Sequence, residues 1–176
     1  MNQLPEYVTP EYLQSLCLIK GKGDGTSGQR CAIQEVRAWL DLDASMDEVP
    51  DCVCPVIGKL VIGLNDIGPE MRTMLIPFLP RLGGSKGELA IMIRRAFAVA
   101  DWAVRVVAAG AMATAGLNDH AKILKDLPPI VDQETSYAAS YAASDASDAA
   151  SDAASYAASY ASYAASDILN QLLAIQ

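Results

Sequence analysis

The 176-residue chain is poor in the residues from which metal sites and redox sites are built. It contains one histidine, His120, and four cysteines, of which only Cys52 and Cys54 form a close pair. A zinc site needs two such pairs, or one pair with a histidine partner. Because His120 is far from Cys52 and Cys54 in the sequence, we expect no metal. Reduced thiols are the expected state in a cytoplasmic chain of this size, with a disulfide or redox pair as the alternative.

Catalytic motifs are also missing. The chain has neither a G-x-x-x-x-G-K-[ST] phosphate loop nor an H-E-x-x-H motif, and its carboxylates show no evident pairing. A Ser-His-Asp arrangement would depend wholly on His120, which stands at a predicted helix start and is expected to face solvent. The sequence therefore predicts no catalytic residue, no metal and no cofactor, and an enzyme is the least supported class of function.

Basic residues are absent from the last quarter of the chain. All 13 Lys and Arg residues lie between Lys20 and Lys125, whereas the last 46 residues carry six acids. The formal charge of −8 thus divides into about −2 for the first 130 residues and about −6 for the rest. Binding of a phosphate backbone needs a basic surface, so we expect no nucleic-acid partner.

Long apolar runs and secretory signals are lacking as well. No window contains 18 uninterrupted apolar residues, and the start of the chain lacks a basic segment followed by an apolar run. We therefore expect no membrane partner and a cytoplasmic location.

Strand patterns are scarce, whereas helix signals recur through residues 1–130. Thr9-Pro10 places a cap before a proline at the first helical position. Apolar residues at helical spacing follow Pro55, and Ser85-Lys86-Gly87-Glu88 resembles a capping box for a long helix ending near Ala115. The pattern predicts an all-α body of about six helices, over residues 1–130, followed by a separate segment over 131–176.

The sequence of that segment predicts one long helix, from about Gln133 to about Ala174. Between Ser136 and Ser166 only Ala, Ser, Tyr and Asp occur, and the serines recur every three or four residues. This period lies near 3.6, and alanine is the best helix former, so helix is favoured over disorder. About 42 residues would make a rod of roughly 60 Å.

The composition of this helix indicates helix–helix contact. An alanine stripe allows two backbones to approach closely, so it calls for a partner, which could be the body, another copy or a different protein. The Tyr and Asp residues form a near-palindrome about residue 149, and the end of the chain turns apolar. We expect a homo-oligomer, parallel or antiparallel, whose association face comprises Tyr137, Tyr141, Tyr156, Tyr160, Tyr163, Leu169, Leu172 and Leu173. The alternative for the apolar end is docking on the body.

Five segments of the chain resemble a set of uncharacterised proteins from bacteria and their phages. They begin at Cys54 (CPVI), Leu64 (LND), Pro77 (PFLPRL), Ala100 (ADWAVR) and Leu127 (LPPI). The resemblance covers residues 31–176 and includes a small helical body with an Ala-rich C-terminal helix. It implies a bacterial or phage protein, in the host cytoplasm if phage-encoded, but no activity.

Two glycine-rich loops could hold a small anion. One loop, Gly21 to Arg30, and the other, Leu82 to Gly87, each precede a predicted helix, whose first N–H groups favour phosphate. The weak candidate ligands are Lys20, Lys22, Arg30, Arg81, Ser85 and Lys86. The favoured hypothesis is a non-enzymatic, self-associating helical protein with a structural or interaction role. The alternative is a phage counter-defence protein that sequesters a phosphorylated or nucleotide signal.

Overall fold

A computed structural model of the chain describes residues 4–149, 165 and 167–175. Within these residues all regular structure is helical, which confirms the predicted all-α class. The α-helices are α1 (Pro10–Ser15), α2 (Ala32–Trp39), α3 (Pro55–Asn65), α4 (Pro69–Leu75), α5 (Leu89–Asp101), α6 (Ala109–Thr114), α7 (Asn118–Asp126) and α8 (Gln133–Ala149). Ile76–Arg81 is a 3-10 helix, Trp102–Ala108 is a π-helical stretch, and the last helix, α9, covers 167–174.

The chain divides into two compact units, and the division falls inside α5, between Met92 and Ile93. The predicted boundary near residue 130 is therefore not where the compact units separate. The reason is that α8 packs against α7 and the π-helical stretch. The start of the predicted tail thus belongs to the same unit as the second half of the predicted body.

The first unit has a core of large aliphatic side chains from α2, α3, α4 and the 3-10 helix. Its fully buried members include Ile33, Ile57, Met71, Leu75 and Leu79. Prolines open α1, α3 and α4, where the missing N–H would have had no helical partner. The side chain of Thr9 caps α1, as predicted, by accepting from the N–H of Tyr12.

The predicted capping box at Ser85 is wrong as a helix start. Helix α5 begins at Leu89, four residues later. The Ser85 hydroxyl instead accepts a hydrogen bond from the N–H of Cys54, the residue that precedes α3, at 3.0 Å. A serine oxygen can cap any nearby free N–H group, so the tertiary contact decided which helix it serves.

The second unit is built around a small cluster of buried residues from α6, α7 and α8. The cluster consists of Ala109, Met112, Ala121, Leu124 and Ala146, with Ala142 and Ala143 packed against it. The alanine stripe of α8 therefore faces the chain's own helices. The described part of the alanine stripe therefore packs against the body of the same chain.

The single long helix is not confirmed, because its described parts, α8 and α9, do not lie on one line. The N–H of Ile130, just before α8, bonds Asp101, and Ala146 lies in the cluster with Ala109 and Met112. The carbonyl of Ile175, just after α9, accepts from Arg95. Along the length of α5 and α6, residue 175 lies first, then residue 130 and then residue 146. One straight helix cannot place its residues in this order. Residues 150–164 and 166 lie outside the described residues.

Helices α5 and α6 and the π-helical stretch form one continuous helix, Leu89–Thr114, of 26 residues. By length and composition alone it is apolar enough to cross a membrane, although a core helix of a water-soluble protein can pass the same test. Near its middle the guanidinium of Arg105 lies 3.1 Å from the carboxylate of Asp101, one turn earlier. Asp101 and Arg105 thus pair with each other.

Candidate functional site

The exposed side of α8 carries two tyrosines one turn apart. Tyr137 is 59% exposed and Tyr141 is 75% exposed, whereas Ala139 between them is buried. Within the described residues, the only hydrogen bond on either phenol joins the amide of Gln133 to the Tyr137 hydroxyl, at 3.0 Å. Large aromatic rings left in solvent on a helix whose other side is packed form an apolar surface open to a partner.

The start of α8 is held in place by a polar cap that the sequence reading did not identify. Asp132 accepts from the N–H of Thr135 at 2.9 Å, and the Thr135 hydroxyl in turn accepts from the N–H groups of Val131 and Asp132. The hydrogen bond from the Thr135 N–H holds the pKa of Asp132 below its ordinary value. The signal was an Asp followed three residues later by Thr, directly before the helix.

The remaining residues of the predicted association face do not join this surface within the described chain. Leu169 and Leu172 are fully buried, and Leu173 is half-buried. Arg95, itself 5% exposed, donates to the carbonyl of Ile175 at 2.7 Å and holds the end of α9. The apolar end of the chain is thus used internally, as the docking alternative proposed. Tyr156, Tyr160 and Tyr163 lie outside the described residues.

The first candidate anion loop is tied to the protein by buried side chains. Gln34 is fully buried, and its amide both accepts from the N–H of Gly23, at 2.8 Å, and donates to the carbonyl of Gly23, at 3.0 Å. Ile19 and Arg30 close the loop through a backbone hydrogen bond of 3.0 Å. The loop is thus a fixed part of the first unit.

Donors that could have bound an anion there are used inside the protein. The N–H groups of Cys31 and Ala32, at the start of α2, bond the side-chain oxygens of Gln34 and Asn65. Arg30 donates to the carbonyl of Gly25 at 2.7 Å and lies 3.4 Å from the carboxylate of Glu35. Lys20 and Lys22 are exposed, but the helix N-terminus that was expected to assist them is occupied.

The second candidate loop contributes its polar groups to packing as well. Besides the bond from Cys54 to Ser85, the N–H of Lys86 donates to the carbonyl of Cys52 at 3.1 Å. The side chains of Arg81 and Lys86 are exposed. Helix α5 begins at Leu89, two residues after the loop. The described hydrogen bonds hold both loops in the fold, and anion binding by their residues stays a prediction.

A buried polar cluster around Glu35 is the main feature that the sequence reading missed. The Glu35 carboxylate is 3% exposed and accepts from the phenol of Tyr12 and from the indole N–H of Trp39. Arg30 supplies the neighbouring positive charge. A glutamate within the apolar stripe of α2 was the available signal, because a buried acid needs partners of this kind.

Comparisons with protein-family models, with curated proteins and with solved structures find no match to this chain. The case for a function therefore depends on the surfaces and contacts described above.

Proposed function

We propose that this protein is a non-enzymatic association protein, which pairs with a second copy of itself through the tyrosine side of α8. The exposure of Tyr137 and Tyr141 carries the proposal. An aromatic ring buries a large area when a partner covers it, and interfaces are enriched in tyrosine for this reason. The bacterial or phage origin implied by the resemblance remains part of the proposal.

The packing of α8 supports the tyrosine side, rather than the alanine side, as the interface. Ala139 and Ala146 are already buried inside the chain, so a second copy could reach them only by displacing α6 or α7. Displacement would expose Met112 and Leu124, at a cost of roughly 1.5–3 kcal/mol for each large apolar side chain. Covering Tyr137 and Tyr141 requires no such rearrangement.

The repeat sequence supports a second copy as the partner. Going out from residue 149, the chain places aspartates near the centre and tyrosines on both sides, at 137 and 141 and again at 156, 160 and 163. A pattern that reads alike in both directions suits an antiparallel pair, because a two-fold interface uses the same patch twice. In such a pair the tyrosines of one copy meet those of the other. We propose that two copies of α8 pair in this way, with Tyr137 and Tyr141 of each copy at the interface.

The test is the molar mass in solution, measured by size-exclusion chromatography with light scattering. We expect wild-type protein at micromolar concentration to have twice the 18.6 kDa mass of one chain. The double variant Tyr137→Ser, Tyr141→Ser should dissociate at least about 30-fold more readily, since truncating a central interface aromatic costs 2 kcal/mol or more. Tyr7→Ser, which removes an exposed tyrosine of the first unit, is the matched control.

Two results would overturn the proposal: a monomeric wild-type protein, or a double variant that dimerises as well as Tyr7→Ser does. Substitutions are preferable to deleting residues 133–176. Deletion would remove Ala146 and Leu172 from buried positions, so that a change in mass could reflect misfolding. Circular dichroism of each variant establishes that the helices are retained.

A further inference from the structure

The first unit contains an open groove of about 600 Å³ that the proposed function does not use. One wall is formed by α1 and the residue after it, through Pro10, Leu13 and Leu16. The opposite wall is the junction of α4 with the 3-10 helix, through Ile76 and Pro77. This volume lies within the range of 300–1,000 Å³ that is usual for small-molecule sites.

Among the described residues, the lining of the groove is free of charged side chains. Besides the five apolar residues, Gln14 and Thr73 complete it. A charged ligand would lose part of its hydration in this open groove and find no opposite charge among these lining residues, which is unfavourable. An uncharged apolar ligand gains about 25 cal/mol for each Å² of apolar surface that it buries.

The two polar side chains of the lining can each still form hydrogen bonds. Thr73 donates its hydroxyl hydrogen to the carbonyl of Pro69 at 3.2 Å, so its oxygen remains able to accept. The Gln14 amide has no hydrogen-bond partner among the described residues, and it can both donate and accept. A few such groups in an apolar wall are what orient a small ligand.

The α1 wall is held in position through one side chain. No residue of α1 is buried, yet Tyr12 reaches out of the helix to the buried Glu35 and packs edge-on against Trp39, with ring centroids 6.4 Å apart. Pro10 and Pro77 fix the backbone at both sides of the groove. The walls are thus preorganised, which lowers the entropic cost of binding.

We propose that this groove binds an uncharged, largely apolar small molecule that carries a hydrogen-bonding group. The site lies wholly in the first unit, so the proposal is independent of association through α8. Such a ligand would make contact with Leu13, Leu16 and Ile76 and place its polar group against Gln14 or Thr73.

The full-length protein can be titrated with the uncharged fluorescent probe N-phenyl-1-naphthylamine. We expect saturable binding of one probe per chain. The anionic probe 8-anilino-1-naphthalenesulfonate should bind at least about tenfold more weakly, because it must bring a sulfonate to an uncharged groove. Absence of saturable binding, or equal affinity for both probes, would overturn the proposal.

Two variants test whether the uncharged probe binds in this groove. Leu13→Asp should raise the dissociation constant of the uncharged probe at least about tenfold, since it puts a charge on the apolar wall. Ile67→Asp, at a position 37% exposed in the same unit but outside the groove, is the matched control and should bind as wild type does. Equal losses in the two variants would place the probe elsewhere.

A milder variant covers the case in which Leu13→Asp does not fold. Gln14 is exposed, so Gln14→Lys should leave the fold intact while bringing a charge to the rim of the groove. We expect weaker binding of the uncharged probe by Gln14→Lys. Unchanged binding by this folded variant would contradict the proposed site.

Discussion

The phenolic oxygen of Tyr12 lies 2.5 Å from Oε1 of Glu35, a carboxylate that is 3% exposed. Oε1 of Glu35 also accepts from the indole N–H of Trp39 at 3.1 Å, and the guanidinium of Arg30 lies 3.4 Å from Oε2 of Glu35. One buried charge therefore joins α1, the glycine-rich loop and α2. Since a buried acid without partners is very costly, each of these three elements depends on the others.

The phenol of Tyr12 should titrate at a higher pH than an ordinary tyrosine. Burial, followed by the hydrogen bond donated to Glu35, raises the pKa of Tyr12 to about 12, compared with about 10 for an ordinary tyrosine. Because the folded-state pKa lies above the unfolded one, this contribution to stability is complete below pH 10 and is lost as the pH rises to about 12. The measurement is tyrosinate absorbance near 295 nm, comparing wild type with Tyr12→Phe.

The difference between the two titrations isolates Tyr12. We expect a step near pH 12 in the difference curve, and a fall in the free energy of unfolding of wild type between pH 10 and 12 that Tyr12→Phe lacks. A difference step near pH 10 would show that the phenol is neither buried nor bonded to Glu35. Tyr7→Phe, which changes an exposed ring, is the control for the removal of any one tyrosine.

The two glycines of α3 should respond in opposite ways to alanine. A Cβ on Gly58 would lie 2.5 Å from Cγ1 of Val49, whereas a Cβ on Gly63 would meet nothing within 4 Å. Alanine is favoured over glycine inside a helix by about 1 kcal/mol, so Gly63→Ala should stabilise the protein by up to that amount. Gly58→Ala should destabilise it by about 1–3 kcal/mol through overpacking.

Urea denaturation of the two variants, followed by circular dichroism at 222 nm, measures this contrast. A glycine inside a helix can leave room for the close approach of another group. Only Gly58 has that role, because the side chain of Val49 lies across α3 at this point. If both variants shifted the unfolding midpoint in the same direction, the described packing of α3 would be contradicted.

The contact of α8 with its own chain can be tested with a pair of alanines. Ala146 is 1% exposed within the cluster of α6 and α7, whereas Ala138 is exposed. Ala146→Leu should lower the free energy of unfolding by about 1–3 kcal/mol, since the extra methyl groups have no space. Ala138→Leu should change it by less than about 0.5 kcal/mol.

Thermal melts of the two leucine variants provide this comparison. Similar melting temperatures would mean that Ala146 does not pack inside the chain, and the alanine side of α8 would again be open to a partner. The double tyrosine variant should melt at the same temperature as the wild-type chain at low protein concentration, because Tyr137 and Tyr141 contribute little to the core.

Local signals predicted the helices well. Thr9 caps α1 and Pro55 opens α3, as the sequence indicated. These features depend on neighbours within one turn, where proline and capping chemistry leave few alternatives. The all-α class followed from the same signals.

Tertiary partners could not be predicted, because they join residues far apart in sequence. Ser85 could cap its own helix or another, and only the fold brings Cys54 within 3.0 Å of it. After the first glycine-rich loop, the side chains of Gln34 and Asn65 accept hydrogen bonds from the N–H groups that were expected to remain free. A helical period in the tail likewise carried no information on which residues its helices pack against.

The hydrogen bond between Arg95 and Ile175 joins residues 80 positions apart in the chain. Loop-closure entropy makes contacts of such long range late events in folding, whereas the turns of α6 and α7 close within a few residues. During synthesis the buried positions of Leu169 and Leu172 must therefore stay unfilled until residues far along the chain from Arg95 have been made. The second unit is expected to finish folding later and more slowly than the first.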